Sequence, residues 1–471
     1  MLIKERSKIM EKFFHLSEHN TNVKTEIMAG ITTFMAMAYI LFVNSNMFAT
    51  LGVSFNAIYV ATAISAVIGT VLIGLLSNLP LAQASGMGLN AYFVYTVCLG
   101  FGFSYANALV MVLIDGVVFM ILTVTGLRQR IFEGIPKSVR VAIPAGIGLF
   151  IAFIGFQNAK LVVDDGATLV NLTSFNLLKG TPWGTIMPVL VTILTVLAIA
   201  IMSHRKVKGA VLWGILGGTA AYYLLGLTVP DFYATLSLSP MNPIDSFKEF
   251  GTQSFGKVFT EGFNFTPYIE ANGAASFVLV LVTTALAFCM VDMFDTIGTL
   301  YGACARGNLL DKDGSIPNMN KAMMADAIAT TAGAVCGTST VTTYVESSAG
   351  VAEGGRTGLS SMATAAMFFI AMFLSPVAAF IPSCATAAAL IYVGVLMMNC
   401  VKDIDWLAPA SAVPAFLTIA IMAFTYNISY GIAFGIISSL IISVFTGKAK
   451  ETKVTTWIIA VLFLAMFLLT H

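Results

Sequence analysis

Two stretches, Gln83-Ala-Ser-Gly-Met-Gly-Leu-Asn90-Ala-Tyr-Phe and Gly337-Thr-Ser-Thr-Val-Thr-Thr-Tyr-Val-Glu346-Ser-Ser, decide the fold. Each begins with small, β-branched or polar residues and then carries a strong hydrogen-bonding side chain. Glycine permits backbone that is not helical, and the run 338–343 favours an extended segment. In apolar surroundings such backbone is tolerated only where it lines a cavity or is buried in protein. We therefore predict two broken membrane spans, in which a short extended piece leads into a half-helix whose N–H groups point at the membrane midplane. The alternative is that Gly86 and Gly88 only allow close helix packing.

The composition of the whole chain requires lipid as its main solvent. Of 471 residues, 58% are apolar and 10% are charged, against about 45–50% and about 25% in soluble domains. The net charge of +1 gives no support to nucleic-acid binding. Six cysteines without a C-x-x-C pair predict packing residues, and we predict no metal site. The charged N-terminus does not resemble a cleavable signal peptide.

The apolar runs predict fourteen membrane spans, since a spanning helix needs about 20 mostly apolar residues. The spans, numbered 1 to 14 below, are 26–48, 54–77, 82–99, 104–126, 138–157, 183–203, 208–226, 275–303, 319–336, 338–353, 358–380, 382–400, 408–426 and 428–446. A further run, 455–470, is short and either spans the membrane or lies on it.

The distribution of Lys and Arg predicts a cytoplasmic N-terminus. With that orientation, all but four of the 24 cations lie in inside segments. Those on the outside are Lys160, Lys179, Lys248 and Lys257. The largest polar interruption, 227–274, divides the spans into two halves of seven. Because seven is odd, the second half enters the membrane inverted, and the broken spans are the third of each half. Inverted halves with broken helices are typical of secondary transporters.

Charged side chains at membrane depth are costly and usually functional. Asp292 and Asp295 stand three residues apart on one helix face. Two nearby carboxylates in a dry site do not both ionise easily, which suggests proton coupling; a buried hydrogen-bonded pair or a helix cap is the alternative. Asp115 in span 4 is either a proton relay or a local hydrogen-bonding group. We expect Asp326 to lie in the N-terminal turn of span 9, in a structural role.

Two further features bear on the site. Glu353 and Arg356 are expected to form an ion pair at the inner end of span 10. The aromatic residues that could stack on a planar ligand, or simply pack, are Phe34, Tyr39, Phe93, Phe294 and Tyr344.

A site of carboxylates, an amide and helix N–H groups, without Lys or Arg, favours a neutral, planar, hydrogen-bonding solute over an anion. Guanine offers two adjacent donors, N1–H and the 2-amino group, which match an ionised carboxylate. Hypoxanthine offers one of them. Adenine has an acceptor at N1 and would need a protonated carboxyl group or another partner.

Four motifs carry a resemblance to a known family. They are Gly30-Ile-Thr-Thr-Phe-Met-Ala-Met-Ala-Tyr-Ile-Leu, Ala84-Ser-Gly-Met-Gly-Leu-Asn-Ala-Tyr-Phe, Asp292-Met-Phe-Asp-Thr-Ile-Gly-Thr and Gly337-Thr-Ser-Thr-Val-Thr-Thr-Tyr-Val-Glu-Ser-Ser-Ala-Gly. Together they resemble the AzgA-like hypoxanthine/adenine/guanine permeases of the nucleobase transporter superfamily, which includes the uracil permeases. The resemblance runs from about Phe13 to Phe445.

The resemblance implies an all-α polytopic fold with a seven-plus-seven inverted repeat. A core domain (26–126 and 275–380) would move against a gate domain (127–226 and 381–446). The remaining parts would be a cytoplasmic N-terminus (1–25), an extracytoplasmic loop (227–274) and a C-terminal tail (447–471). The protein would import a purine nucleobase by proton symport across the cell membrane, with guanine and hypoxanthine favoured over adenine. Sodium as the coupling ion and a homodimeric assembly stay open.

The family's functional positions match Asn90, Asp292, Asp295 and Glu346. We assign Asn90, Asp295 and Glu346, with Gly88 and Thr342 of the broken spans, to substrate binding. Asp292 and Asp295 are assigned to proton coupling, and Asp115 and Asp326 to a secondary role.

Three rivals follow from the same residues. An anion transporter of the sulfate-permease kind is disfavoured by the lack of cations inside the membrane. An intramembrane aspartyl hydrolase would place its two aspartates on facing helices, whereas Asp292 and Asp295 share one, so we do not predict an enzyme. A channel is less suited to paired broken helices than an occluded site is.

Overall fold

The computed structural model describes residues 10–11, 13–126, 134–235, 242–311 and 315–470. Parts of the predicted N-terminal segment and of the loop 227–274 are outside these ranges. So are seven cations that entered the orientation argument: Lys4, Arg6, Lys8, Lys12, Arg128, Arg130 and Lys312.

Seven spans form the first half of the described chain. Span 1 consists of α1 (Val23–Met37) and α2 (Tyr39–Ala49), and span 2 is α3 (Phe55–Ser77). Span 3 begins with strand β1 (Gln83–Ser85) and continues as α4 (Met87–Ala91) and a π-helix (Tyr92–Gly100). The remaining spans are α5 (Tyr105–Thr125), α6 (Lys137–Asn158), α7 (Trp183–His204) and α8 (Ala210–Gly226). A hairpin of β2 (Val162–Asp165) and β3 (Leu169–Leu172) lies between α6 and α7.

The second half repeats this order. After the short helices α9 (Phe232–Thr235), α10 (Pro243–Glu249), α11 (Lys257–Thr260) and α12 (Thr266–Asn272), span 8 is α13 (Ala274–Arg306) and span 9 is α14 (Met319–Cys336). Span 10 is β4 (Val341–Thr343) followed by α15 (Ser347–Ala352). Span 11 is α16 (Gly358–Ala371) with α17 (Ser375–Ala378), and span 12 is α18 (Ser383–Met397). Spans 13 and 14 are α19 (Pro409–Phe424) and α20 (Ile428–Phe445).

These elements confirm the predicted fold class. Among the described residues, nine helices are long and apolar enough to cross a membrane, and four shorter apolar helices accompany them. The broken spans occupy the third and tenth places, as predicted. The protein is therefore a multi-pass membrane protein whose two halves have seven spans each.

The two broken spans meet through their extended pieces. Strand β1 pairs antiparallel with β4, with Gln83 opposite Thr343 and Ser85 opposite Val341. The backbone N–H of Gly86 extends this ladder to the carbonyl oxygen of Thr340 (2.9 Å). This pairing satisfies backbone groups that lipid could not, so extended chain can exist at membrane depth.

A glycine permits the turn that leads into span 10. Helix α14 is capped by Gly337, whose φ of +93° is strongly disfavoured for residues with a side chain. A Cβ atom there would also collide with the backbone of Ser254 and the hydroxyl of Tyr105. The loop that precedes span 8 is thus packed against the start of the broken span.

The spans pack in two groups. Span 1 contacts span 11, span 2 contacts spans 9 and 11, and span 4 contacts spans 8 and 9. Separately, span 5 contacts spans 12 and 13, span 6 contacts spans 7 and 12, and span 13 contacts span 14. Contacts between the two groups are sparser, so a seam runs between them.

The apolar run after span 14 forms helix α21 (Val454–Thr470). At about 1.5 Å per residue its 17 residues are about 25 Å long, slightly less than a typical bilayer core of about 30 Å. It packs on span 8 and on span 14, with Phe463 and Met466 buried. The helix therefore touches both groups of spans.

Candidate functional site

Asn90 joins the two broken spans at their crossing. Its side-chain oxygen accepts a hydrogen bond from the hydroxyl of Ser339, and its amide nitrogen donates to the carbonyl oxygen of Ser85 (3.3 Å). The side chain is fully buried. In this conformation both ends of the predicted ligand amide are occupied: the oxygen binds span 10, and the nitrogen binds the backbone of span 3 itself.

Glu346 lies directly before helix α15 and is partly exposed. One of its carboxylate oxygens, Oε1, accepts a hydrogen bond from the hydroxyl of Tyr39 in span 1 (2.6 Å). Its other oxygen receives no hydrogen bond from another residue in the described part of the chain. Glu346 thus retains acceptor capacity toward the accessible space.

The N–H groups at the start of α15 are not free, contrary to the prediction for the half-helix of span 10. Those of Ser347, Ser348 and Ala349 donate to carbonyl oxygens three residues back. The turn tightens because the helix has no side-chain cap at this end. At span 10 the carboxylate of Glu346, rather than these N–H groups, is therefore what a ligand can reach.

Asp295 in span 8 is the second partly exposed carboxylate. Its Oδ2 atom accepts a hydrogen bond from the buried hydroxyl of Thr342 in β4 (3.1 Å). Asp295 is also an electrostatic neighbour of Glu346. Two carboxylates from spans 8 and 10 therefore face the same region, each held by one hydroxyl group.

Asp292 is separated from that region although it lies one turn away on the same helix. It is fully buried, and neither carboxylate oxygen accepts from a donor group in the described chain. Its carboxyl group lies within hydrogen-bonding reach of the Asp326 carboxyl group, and Asp115 is a further electrostatic neighbour. The predicted pair is thus divided: Asp295 faces the accessible side and Asp292 faces spans 4 and 9.

Asp326 is not in the N-terminal turn of span 9, so that prediction is wrong. Helix α14 begins at Met319, which places Asp326 about two turns inside it, fully buried. Its oxygens accept from Gln83 Nε2 (2.8 Å), Thr296 Oγ1 (3.0 Å) and Thr343 Oγ1 (3.3 Å). This carboxyl group connects spans 3, 8, 9 and 10.

Asp115 reaches the same network from span 4. Its Oδ2 atom accepts from the hydroxyl of Thr340 (3.2 Å), whereas its buried Oδ1 atom has no partner in the described residues. Asp115, Asp292 and Asp326 form a cluster, which we call the buried acid cluster, behind the paired strands. No Lys or Arg forms an ion pair with its members within the described chain.

Gly88 lies on the seam between the two groups of spans. A Cβ atom at this position would come within 2.5 Å of Ile147 Cγ2 in span 5. The lack of a side chain at Gly88 thus allows span 3 to lie directly on span 5.

The predicted stacking residues divide between packing and the site. Phe93 packs against Phe48 with ring centroids 4.9 Å apart, and Phe34 packs edge-on against Phe368. Tyr344 donates its hydroxyl to Ser85 O (2.5 Å). Tyr39 contacts a predicted site carboxylate, that of Glu346. Its ring is among the predicted stacking residues, but the sequence pattern predicts no role for its hydroxyl, although Tyr39 lies in the motif that begins at Gly30.

The predicted pair of Glu353 and Arg356 is wrong. Glu353 instead pairs with Lys208, at 2.6 Å, while the Arg356 guanidinium donates to the carbonyl oxygens of Val351 and Gly355. The ion pair joins the start of span 7 to the end of span 10, and so crosses the seam.

Comparisons with known proteins agree with this architecture. Residues 24–434 match the model of Xan_ur_permease, a permease family. MJ0326 of Methanocaldococcus jannaschii, named as a permease, is 42% identical over 98% of both chains. The adenine permease AdeP of Escherichia coli is 35% identical over 97% of this chain and 95% of its own length. The guanine/hypoxanthine permease PbuO of Bacillus subtilis is 37% identical over 96% of this chain and 98% of its own.

Solved structures share the fold at low sequence identity. The transmembrane domain of the cyanobacterial bicarbonate transporter BicA matches with a TM-score of 0.62 and 16% identity, over 87% of this chain and 97% of that one. The structure of SLC26A9 matches with a TM-score of 0.61 and 12% identity, over 94% of this chain and 70% of that one. This is the fold with the seven-plus-seven inverted repeat.

The family match and the named permease relatives make this chain a membrane transporter and not an enzyme. The chain belongs to the Xan_ur_permease family of nucleobase transporters, which confirms the resemblance found in its sequence motifs.

Proposed function

We propose that this protein imports purine bases, guanine and hypoxanthine first, by proton symport. The observation that carries the proposal is the pair of partly exposed carboxylates, Glu346 and Asp295, at the crossing of the broken spans. Each has one oxygen held by a hydroxyl and one that is not engaged by another described residue. Such acceptors suit the ring N–H groups of a purine.

An anion is a poor fit for the same place, although BicA and SLC26A9 are solved as bicarbonate and anion transporters. Glu346, Asp295 and the buried acid cluster are all acidic, and none forms an ion pair with a cation in the described chain. An anionic substrate would be repelled by these carboxylates rather than bound.

Adenine is the second candidate substrate, because relatives of nearly equal identity are named as adenine and as guanine/hypoxanthine permeases. An ionised Glu346 matches the N1–H of guanine and hypoxanthine, whereas adenine has an acceptor at N1. Adenine would therefore need a protonated Glu346 or a donor such as the Tyr39 hydroxyl.

Proton coupling is proposed for the buried acid cluster, with Asp295 as its link to the substrate. Two carboxyl groups in contact without a cation are costly when both are ionised, so Asp292 and Asp326 are expected to share a proton. Taking up that proton lowers the charge that the core must carry through the membrane. Asp115 would exchange protons with the same cluster.

The movement proposed is that of spans 1–4 and 8–11, as the core, against spans 5–7 and 12–14, as the gate. The sparse contacts along the seam and the close approach of Gly88 to Ile147 support this division.

The excess of Lys and Arg in alternate loops supports a cytoplasmic N-terminus in the cell membrane.

Uptake of radiolabelled guanine in cells without their own purine permeases tests this function. Unlabelled hypoxanthine, adenine, xanthine and uracil compete in turn, with and without an uncoupler. Uncoupler-sensitive uptake that hypoxanthine blocks and uracil does not is the expected result. Block by adenine alone would move the substrate to adenine, and no uptake of any base would overturn the proposal.

A further inference from the structure

Tyr39 stands where the two helices of span 1 meet, α1 ending at Met37 and α2 beginning at Tyr39. The residue is 1% exposed, and its hydroxyl donates to Glu346 Oε1 over 307 positions of sequence. Asp295 and Tyr344 are its other electrostatic neighbours. A buried hydroxyl aimed at the carboxylate that meets the substrate has consequences for what that carboxylate can bind.

The hydrogen bond from Tyr39 occupies part of the acceptor capacity of Glu346. Two adjacent N–H donors engage a carboxylate best when each finds its own oxygen. Because Oε1 already accepts from Tyr39, a second donor from the ligand would have to share that oxygen. Each carboxylate oxygen has two lone pairs, so Oε1 can still accept from the ligand, but that bond would share the oxygen with Tyr39 and be the weaker one. Glu346 therefore favours one strong donor from the ligand, a one-donor arrangement, over two.

We propose that Tyr39 is a positioning residue that holds Glu346 in this one-donor arrangement and thereby makes the site treat guanine and hypoxanthine alike. The inference rests on the proposed function. The two bases share N1–H, and guanine alone adds the 2-amino group. Because Oε1 is shared with Tyr39, the 2-amino group gains only a weakened hydrogen bond on Glu346.

Asp295 is arranged in the same manner and supports the inference. Thr342 holds its Oδ2 atom at 3.1 Å, which leaves the other oxygen for a different edge of the base. The imidazole N–H, which both bases carry, is a donor of the right kind. Both acceptors would then read groups that guanine and hypoxanthine have in common.

Replacing Tyr39 by phenylalanine tests the role, because the ring remains and only the donor is lost. In Tyr39→Phe, Oε1 becomes free for the 2-amino group. The KM for hypoxanthine divided by the KM for guanine should rise about tenfold, because guanine gains one hydrogen bond to a charged acceptor. Tyr39→Leu, which also lacks the hydroxyl, replaces this variant if it does not reach the membrane.

Tyr59→Phe is the matched control. Tyr59 is equally buried, and its hydroxyl donates to the carbonyl oxygen of Ala371 (3.1 Å) between spans 2 and 11. Its removal should leave the KM ratio unchanged. KM and Vmax are measured for both bases in cells without their own purine permeases, at matched surface amounts.

The wild type provides a test that needs no variant. Its KM values for the two bases should agree within about threefold, since a missing hydrogen bond would cost about tenfold. A wild-type preference for guanine beyond about threefold would overturn the inference. So would a KM ratio that Tyr39→Phe leaves unmoved, or an equal shift in Tyr59→Phe. If the wild type takes up neither base, the proposed function fails and the inference fails with it. If the wild type takes up both bases but Tyr39→Phe leaves the KM ratio unchanged, the inference alone fails.

Discussion

The carboxyl group of Asp292 lies against that of Asp326, and neither has a cation beside it in the described chain. The two residues come from spans 8 and 9, which border the crossing of the broken spans. A shared proton is the simplest way to keep such a pair buried. This buried pair is the proposed coupling group, and it is distinct from Asp295, which faces the accessible side.

Asp292→Asn should uncouple transport from the proton gradient. The amide can donate to Asp326 as a protonated carboxyl group does, so the packing is retained. We expect exchange of external labelled guanine for internal guanine to continue, while uncoupler-sensitive accumulation is lost. Asp295→Asn is the comparison, because it should raise the KM for guanine instead. Normal uncoupler-sensitive accumulation by Asp292→Asn would contradict the role of the pair.

Glu346→Gln should reduce guanine uptake at least about tenfold, because a hydrogen bond to a charged acceptor contributes about 1.5–3 kcal/mol. The glutamine keeps the size of the side chain but presents an amide that can donate where the base also donates. Initial uptake rates at matched surface amounts measure the effect. Asp245→Asn, at an exposed ion pair with Lys248 inside the short helix α10, is the control and should change uptake little. Full uptake by Glu346→Gln would remove Glu346 from the site.

Gly88→Ala should slow transport because the new Cβ atom would press on Ile147 Cγ2. The clash lies on the seam, so we expect Vmax to fall more than KM rises. Ile147→Ala removes the opposing atom and should restore much of the rate in the double variant. If Gly88→Ala raised only the KM and Ile147→Ala gave no rescue, Gly88 would belong to the substrate contact rather than to the seam.

Phe463→Ala should lower the thermal stability of the detergent-purified protein. Phe463 of helix α21 is fully buried. In membranes, helices are held together by packing rather than by the exclusion of water. We therefore expect the free energy of unfolding to fall by about 1–3 kcal/mol, which is less than for the same change in a soluble core. Leu468→Ala, at a position 72% exposed, is the control. Equal unfolding temperatures for the two variants would mean that α21 contributes little to the fold.

The spans could be predicted from sequence because hydropathy is a local property. The observed bounds of span 2 (Phe55–Ser77) and span 14 (Ile428–Phe445) differ by one residue at most from the predicted ones. The extended piece of span 10 could also be anticipated, since the run of Thr and Val around Val341 disfavours a helix.

The partners of the charged residues could not be predicted in the same way. Helical spacing places Asp292 and Asp295 on one face, but the packing of spans 9 and 10 decides that Asp326 lies against the first and Thr342 contacts the second. Glu353 pairs with Lys208 rather than with its near neighbour Arg356 for the same reason. Contacts between residues hundreds of positions apart depend on how the spans assemble, which local patterns do not encode.

The most direct test of the account is transport by the purified protein in sealed liposomes free of sodium. A proton gradient is imposed, with the acidic solution on the side from which the base enters. It should drive wild-type accumulation of guanine above the external concentration. Collapse of the gradient should abolish it, and Glu346→Gln should show none. Accumulation that persisted without the gradient, or that Glu346→Gln retained in full, would contradict a proton-coupled purine site at the crossing of the two broken spans.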